Sequence, residues 1–182
     1  MRSRRPLIIG LSGQLGSGKS TLAESLAAAL AGQKAAFGDF VRELAKQSGS
    51  SVERPSLQQI GEAAVRHDPA AFVRDFLTWA DPKLDRPFVV DGVRHIDVDG
   101  ALRAWAAEVG ADYLAILVVA SDKLRADRRT DGVLSALTEL DAHPVERESA
   151  TDLPEVVDFK VAGNSAVEQV ITSISDWIKA RK

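Results

Sequence analysis

The stretch Leu7-Ile8-Ile9-Gly10-Leu11-Ser12-Gly13-Gln14-Leu15-Gly16-Ser17-Gly18-Lys19-Ser20-Thr21-Leu22 runs from a short apolar segment through a glycine-rich turn into an amphipathic helix. Its centre, Gly13 to Ser20, satisfies G-x-x-x-x-G-K-[ST]. By chance the pattern arises in well under roughly one per cent of chains of this length, and here a strand precedes it and a helix follows it. Each residue type has a chemical reason. Gly13, Gly16 and Gly18, with Gly10 just upstream, let backbone N–H groups curl around phosphate oxygens, and the helix N-terminus adds its dipole. Lys19 supplies a point charge to the β- and γ-phosphates of a nucleotide, and the Ser20 hydroxyl reaches Mg²⁺. Ser17 and Thr21, on either side of this pair, belong to the same expected nucleotide contact.

Outward from this loop, apolar runs alternate with amphipathic stretches, the pattern of an α/β fold with a parallel sheet. The spacing predicts strands at Leu7–Leu11, Lys34–Phe37, Pro87–Val90, Tyr113–Val119 and Val156–Val161. One helix face carries Leu22, Leu26, Ala29 and Leu30. A second carries Val98, Leu102, Trp105 and Val109, and a third Val167, Val170, Ile171, Ile174 and Ile178. Two connections exceed what one crossover helix needs. Residues 39–85 read as three helices, about 39–48, 56–67 and 70–80, punctuated by Pro55, Pro69 and Pro82. Residues 121–150 are charged, lack a strong apolar face, and read as a helical, mobile segment. Two insertions on one core describe the chain better than two domains. Trp79, Trp105 and Trp177 are expected to pack against the sheet.

Composition removes several function classes. The 182 residues include no cysteine, which excludes disulfides, thiolate zinc sites and cysteine nucleophiles. The balance of 23 basic to 26 acidic residues argues against a nucleic-acid binder with a broad basic face. The three histidines, His67, His95 and His143, have no metal-ligand spacing. No apolar run approaches the roughly 18 residues of a membrane span. Met1-Arg2-Ser3-Arg4-Arg5-Pro6 has the charge of a signal n-region, but the apolar run behind it is too short for an h-region, so a cytoplasmic protein is expected. No Asn/Thr-Lys-x-Asp tetrapeptide occurs, which disfavours a GTPase. No catalytic glutamate accompanies Asp91 after the third strand, which disfavours a motor or transporter ATPase.

Three further segments carry a family resemblance. Gly38-Asp39-Phe40-Val41-Arg42, followed by Lys46-Gln47-Ser48-Gly49-Ser50, looks like the G-D-x-x-R segment of adenylate kinases with its trailing K-x-G-S. Asp91-Gly92-Val93-Arg94 resembles their D-G-F-P-R, shortened as in smaller relatives. Leu57-Gln58-Gln59-Ile60-Gly61-Glu62 is similar to an L-Q-x-x-G segment of phage-type deoxynucleotide kinases. The chain thus resembles the P-loop nucleoside monophosphate kinase group, including its dephospho-CoA-kinase-like and deoxynucleotide-kinase-like members.

The resemblance implies a five-stranded parallel sheet flanked by helices, an acceptor-binding insertion after strand two, and a lid after strand four. It implies ATP and Mg²⁺ as cofactors, with Ser20 and Asp91 at the metal and Arg42 and Arg94 on the acceptor phosphate. Asp39 would orient the acceptor, or serve as base if the acceptor is a hydroxyl, although an N-cap for the following helix is its simpler role. Arg125, Arg128 and Arg129 would cover the migrating phosphoryl group, with Arg147 a weaker partner. Gly163-Asn164-Ser165 corresponds to a loop around the adenine. Gln58 and Gln59 stand where a base could be touched. Departures also count. No cysteine knuckle is present in the lid, and the missing proline of D-G-F-P-R moves the chain away from true adenylate kinases.

The expected activity is transfer of the ATP γ-phosphoryl to a small phosphorylated acceptor, a (deoxy)nucleoside monophosphate first. A hydroxyl acceptor such as dephospho-CoA is the alternative. A third reading, from another class, is a nucleotide-binding regulatory module whose partner meets Arg2, Arg4 and Arg5.

Overall fold

A computed structural model describes residues 5–128 and 153–180. Five strands, β1 (Leu7–Ser12), β2 (Gln33–Ala36), β3 (Phe88–Asp91), β4 (Asp112–Val119) and β5 (Phe159–Ala162), form one sheet in the order β2-β3-β1-β4-β5. Every pairing is parallel. The helices are α1 (Lys19–Ala29), α2 (Phe37–Gln47), α3 (Arg54–His67), α4 (Pro69–Ala80), α5 (Ile96–Glu108), α6 (Asp122–Asp127), α7 (Leu153–Val156) and α8 (Val167–Ala180).

Strand periodicity sorts the core into two layers. Ile8, Phe88, Val90, Tyr113 and Ala115 face α2 to α5, while Ile9, Leu11, Val89, Leu114, Ile116 and Val118 face α1 and α8. Both faces are covered, so the central strands read as continuous apolar runs. In α1 the stripe turned inward is Leu22, Ala23, Leu26 and Ala27; the expected Ala29 lies exposed.

The long connection after β2 holds α2, α3 and α4, close to the boundaries predicted from spacing. Pro55 opens α3, and Pro69 opens α4, whose Asp68 cap accepts a hydrogen bond from Ala71 N at 2.8 Å. An aromatic cluster fastens α2 to α4: Phe37 stacks on Phe76 with ring centroids 4.0 Å apart, and Phe40 meets Phe72 at 5.5 Å. Trp79 joins this cluster through Phe40 and is 42% exposed, so it packs between helices and not on the sheet as expected.

Strand ends differ from the sequence reading by a residue at several places, and two boundaries change the element itself. Phe37 begins α2 and does not end β2. The fifth strand was expected from Val156, but Leu153–Val156 forms a helical turn and pairing starts at Phe159. The reason lies in Asp158. Its backbone N–H donates to Ala115 O at 2.9 Å while its carboxylate accepts from Ala115 N at 2.9 Å, which sets the register only from this residue on. Leu153 just upstream is fully buried, a contribution of about 1.5–3 kcal/mol that favours the turn.

A buried polar network braces the same region. Tyr113 donates its hydroxyl to Asp99 at 2.7 Å. Arg103 donates to the other Asp99 oxygen at 2.8 Å, to Val156 O at 3.0 Å and to Asp158 at 3.2 Å. Burial, reinforced by the Asp99 charge and hydrogen bond, pushes the Tyr113 phenol well above its ordinary range. For Arg103, burial pulls the other way, and the hydrogen bond and charge of Asp99 outweigh it, raising its pKa. Gly10, counted above with the phosphate loop, sits within β1 directly under this network. A Cβ there would lie 2.2 Å from the Tyr113 hydroxyl.

Candidate active site

The site gathers at the C-terminal ends of β1 and β3, where open parallel sheets place their ligands. Register puts Leu11 beside Asp91, and Leu11 O accepts from Gly92 N at 3.1 Å and Val93 N at 3.0 Å. The end of β3 is thereby fixed against the start of the glycine-rich loop. Within the loop Gly16 (φ +77°) and Gly18 (φ +94°) adopt left-handed backbone that side-chain-bearing residues rarely take. Gly18 then caps α1, and Lys19 enters the first turn with only 7% exposure.

Three polar atoms around this turn are buried with no hydrogen-bond partner among the described residues: Ser12 Oγ, Ser17 Oγ and Asp91 Oδ1. A buried unsatisfied group costs about 1–3 kcal/mol, so three in one place mark a surface built to meet a ligand. Of these, Asp91 Oδ1 fits a phosphate-bound Mg²⁺, which takes one or two carboxylates from protein and completes its shell with hydroxyl, phosphate oxygens and water. Asp91 and Ser20 would supply the protein's share. Among the described residues no group of three or more His, Asp or Glu forms a metal site of its own.

A cavity of about 490 Å³ opens from this corner. Lys19, Ser20, Asp91 and Arg94 line one end. Asp39 and Arg42 border it from α2, Arg54, Gln58 and Glu62 from α3, and Val41, Leu57, Val65, Phe72 and Val98 form apolar wall. Six residues singled out from sequence, Lys19, Ser20, Asp39, Arg42, Asp91 and Arg94, therefore border one space. Asp39 is not a helix cap: Ala36 holds that position, and Asp39 lies in the first turn of α2 with its carboxylate 2.6 Å from Arg42. Arg54, Lys34 and Glu62 were missed. The signal for two of them was present, because Arg54, Gln58 and Glu62 recur every four residues along one helix face. Gln59, by contrast, is exposed. His95 borders the cavity, whereas His67 is exposed at the end of α3.

The arginines after β4 behave differently from the expectation. Arg125 does not border the cavity. It is 1% exposed, donates from Nε to Leu15 O at 2.8 Å, and reaches Gln14 Oε1 at 3.1 Å and Asp122 at 3.2 Å. The geometry makes it a clamp on the outside of the glycine-rich loop, because three short contacts consume its fork. Arg128 lies nearby, donating to Ser17 O at 2.9 Å and Gly163 O at 3.0 Å. Gly163 is pressed onto the same loop, where a Cβ would come within 1.9 Å of Ser17 O. Asn164 and Thr21 are exposed and do not line the cavity. Arg129, Arg147 and His143 lie outside the described residues, as do Arg2 and Arg4. Arg5 is tied down, donating to Gly110 O at 3.0 Å and pairing with Asp112 at 3.1 Å. No helix among the described residues is long and apolar enough to cross a membrane.

Sheet order, loop and cavity together define a P-loop protein with the kinase-like arrangement of helices. The AAA domain family model matches residues 9–133, more than half of the chain, and the chain belongs to that family. Among solved structures, the APS kinase of Mycobacterium tuberculosis, determined with AMPPNP and APS, superposes with a TM-score of 0.59 at 14% identity, covering 97% of this chain and 99% of that one. Shikimate kinase from Aquifex aeolicus vf5 gives 0.55 at 20% identity, covering 96% and 97%. Shikimate kinase from Acinetobacter baumannii, in complex with shikimate, gives 0.57 at 14% identity, covering 98% and 95%. At these identities the likeness establishes the fold. No curated protein matches by sequence.

Proposed function

We propose that the protein transfers the γ-phosphoryl group of ATP to a small phosphorylated acceptor, a (deoxy)nucleoside monophosphate being the first choice. The observation that carries this reading is the single cavity joining Lys19, Ser20 and Asp91 to Arg42 and Arg94. A donor-phosphate loop and two guanidinium groups on one space suit two anions brought together for transfer.

In this reading the loop amides and Lys19 hold the donor phosphates, and Arg42 and Arg94 hold the acceptor. Asp91 and Ser20 hold Mg²⁺, which when bound neutralises charge on the β- and γ-oxygens. Catalysis is then positioning and charge stabilisation, with little covalent chemistry by the protein. The helices spanning 39–85 serve as the acceptor insertion of one catalytic unit, and the lid expected at 121–150 falls mostly outside the described residues. Relatives named above carry the same fold and act on APS or shikimate by name, which supports a small-molecule acceptor without choosing one.

A second reading rests on Asp39, which borders the cavity and bonds Arg42. With a hydroxyl acceptor, that carboxylate is the group placed to take the proton.

The test is ADP release with Mg-ATP across ribo- and deoxynucleoside monophosphates plus dephospho-CoA, with Lys19→Ala as the blank. Stimulation by one compound, absent in the blank, supports the kinase reading and names its acceptor. Acceptor-independent hydrolysis across the whole panel refutes it. Asp39→Asn then separates the two acceptor types: a phosphate acceptor tolerates it, and a hydroxyl acceptor loses rate.

A further inference from the structure

The two described arginines that follow β4 approach the glycine-rich loop from outside, since neither borders the cavity that Leu15, Lys19 and Ser20 line. Each holds a different peptide unit. Arg125 Nε donates to Leu15 O at 2.8 Å, and its Nη1 donates to the Gln14 carboxamide oxygen at 3.1 Å. Arg128 Nη1 donates to Ser17 O at 2.9 Å, with Gly16 O farther off at 3.4 Å, and its Nη2 donates to Gly163 O at 3.0 Å. Glycines leave room for this approach. A Cβ on Gly16 would stand 3.0 Å from Arg125 O, and one on Gly18 would stand 2.6 Å from Arg128 Nη1.

A trans peptide is planar, so its C=O and the N–H that follows point in opposite directions. Holding Leu15 O outward on Arg125 therefore turns the Gly16 N–H inward, and holding Ser17 O on Arg128 does the same for Gly18. Neither amide has a backbone acceptor among the described residues, whereas Ser17 N donates to Gln14 O at 3.1 Å. A glycine-rich loop left to itself can flip such peptide units, because glycine takes positive and negative φ about equally readily. We infer that Arg125 and Arg128 are positioning residues for phosphoryl transfer. Arg125 fixes the peptide unit Leu15–Gly16 and Arg128 fixes Ser17–Gly18, so that the two amides face the donor phosphates before any ligand arrives. Ordering is thus completed on folding and not on binding, which favours affinity. This inference rests on the reading of the loop as the donor-phosphate site and is independent of which acceptor is used.

The experiment measures binding of Mg-tripolyphosphate, the phosphate chain of ATP without its nucleoside, by calorimetry. Amide relaxation dispersion in the free protein, which reports microsecond-to-millisecond exchange, is recorded at Gly16 and Gly18 alongside. Arg128→Ala should weaken binding about tenfold, as expected for a lost charge-assisted hydrogen bond, and bring exchange to the Gly18 amide while Gly16 stays quiet. Arg125→Met should do the reverse, with exchange at Gly16; Arg125→Lys, which keeps the charge and loses the fork, shows the same signature should the Met variant not fold. Gly163→Ala is the control that changes no charge. Its Cβ would fall 1.9 Å from Ser17 O, so the contact joining Ser17, Gly163 and Arg128 must open, and binding should again weaken about tenfold with exchange at Gly18. Wild-type affinity in Gly163→Ala beside weakened binding in Arg128→Ala would show that the arginine acts through charge alone. Quiet Gly16 and Gly18 amides in both arginine variants would show that the loop keeps its peptides without them. Either result overturns the inference and leaves the donor site standing. If wild type binds Mg-tripolyphosphate no better than Lys19→Ala does, the donor-site reading itself fails and this inference fails with it.

Discussion

Replacing Gly10 by alanine offers a sharp test of the packing between β1 and β4. The new Cβ would stand 2.2 Å from the Tyr113 hydroxyl, 3.0 Å from Cζ and 3.4 Å from the ring edge. The hydroxyl cannot swing aside freely, because it is held at 2.7 Å by Asp99, which Arg103 holds in turn. Overpacking of this kind costs about 1–3 kcal/mol, less the few tenths that alanine regains by restricting the unfolded chain. For a domain of this length each kcal/mol moves Tm by about 2–4 °C, so Gly10→Ala should melt about 2–10 °C lower. Tyr113→Phe should cost about 1–3 kcal/mol by leaving one Asp99 oxygen short of a donor.

In the double variant the nearest atom becomes Cζ at 3.0 Å, which a shift of a few tenths of an ångström relieves. Adding Gly10→Ala to Tyr113→Phe should therefore cost close to nothing, a coupling of about 1–2 kcal/mol. Thermal and urea unfolding of the four proteins completes the cycle. Additivity within about 0.5 kcal/mol would show that the hydroxyl is not what excludes a side chain at position 10.

Tyr113 is the only tyrosine in the chain, so tyrosinate absorbance reports on it alone. Its pKa is raised by burial, so the stability it lends is present below about pH 10 and lost as pH rises past that value. Absorbance at 295 nm should rise only together with unfolding, and titration of the folded protein near pH 10 would contradict the burial. Arg125→Ala should destabilise by about 1–3 kcal/mol and weaken ATP binding, because Leu15 O and Gln14 lose their donor; unchanged ATP affinity by calorimetry would remove the clamp role. Arg42→Ala and Arg94→Ala should raise the acceptor KM about tenfold or more while ATP affinity holds, and steady-state kinetics with both substrates varied reads the split. Lys19→Ala should lower kcat about 10²- to 10³-fold with the fold intact by circular dichroism.

Local chemistry explains how far the sequence could be read. The glycine-rich loop, the α3 and α4 boundaries and the apolar strands follow from residue type and spacing within a few turns. The count of five parallel strands came with the resemblance, but their order did not, because no single strand names its neighbour. Gly10 looked like one more loop glycine, since its reason lies 103 residues away in the Tyr113 hydroxyl. Arg125 carried the right charge for phosphate, yet its place behind the loop depends on how α6 docks after β4. Asp158 fell inside the expected strand Val156–Val161, although its paired bonds to Ala115 mark where pairing begins. At the cavity, arginines and aspartates in short motifs were visible, while the four-residue spacing of Arg54 and Glu62 marked a shared helix face without saying whether it is exposed or turned inward.

The excursion between β4 and β5 is rooted at both ends. Arg125 and Arg128 fasten its departure to the carbonyls of the glycine-rich loop, and Leu153, Arg103 and Asp158 fasten its return to β4 and α5. A disturbance at the end of β4 therefore travels straight to the phosphate loop, because the same two arginines that anchor the chain after β4 hold the carbonyls of Leu15 and Ser17.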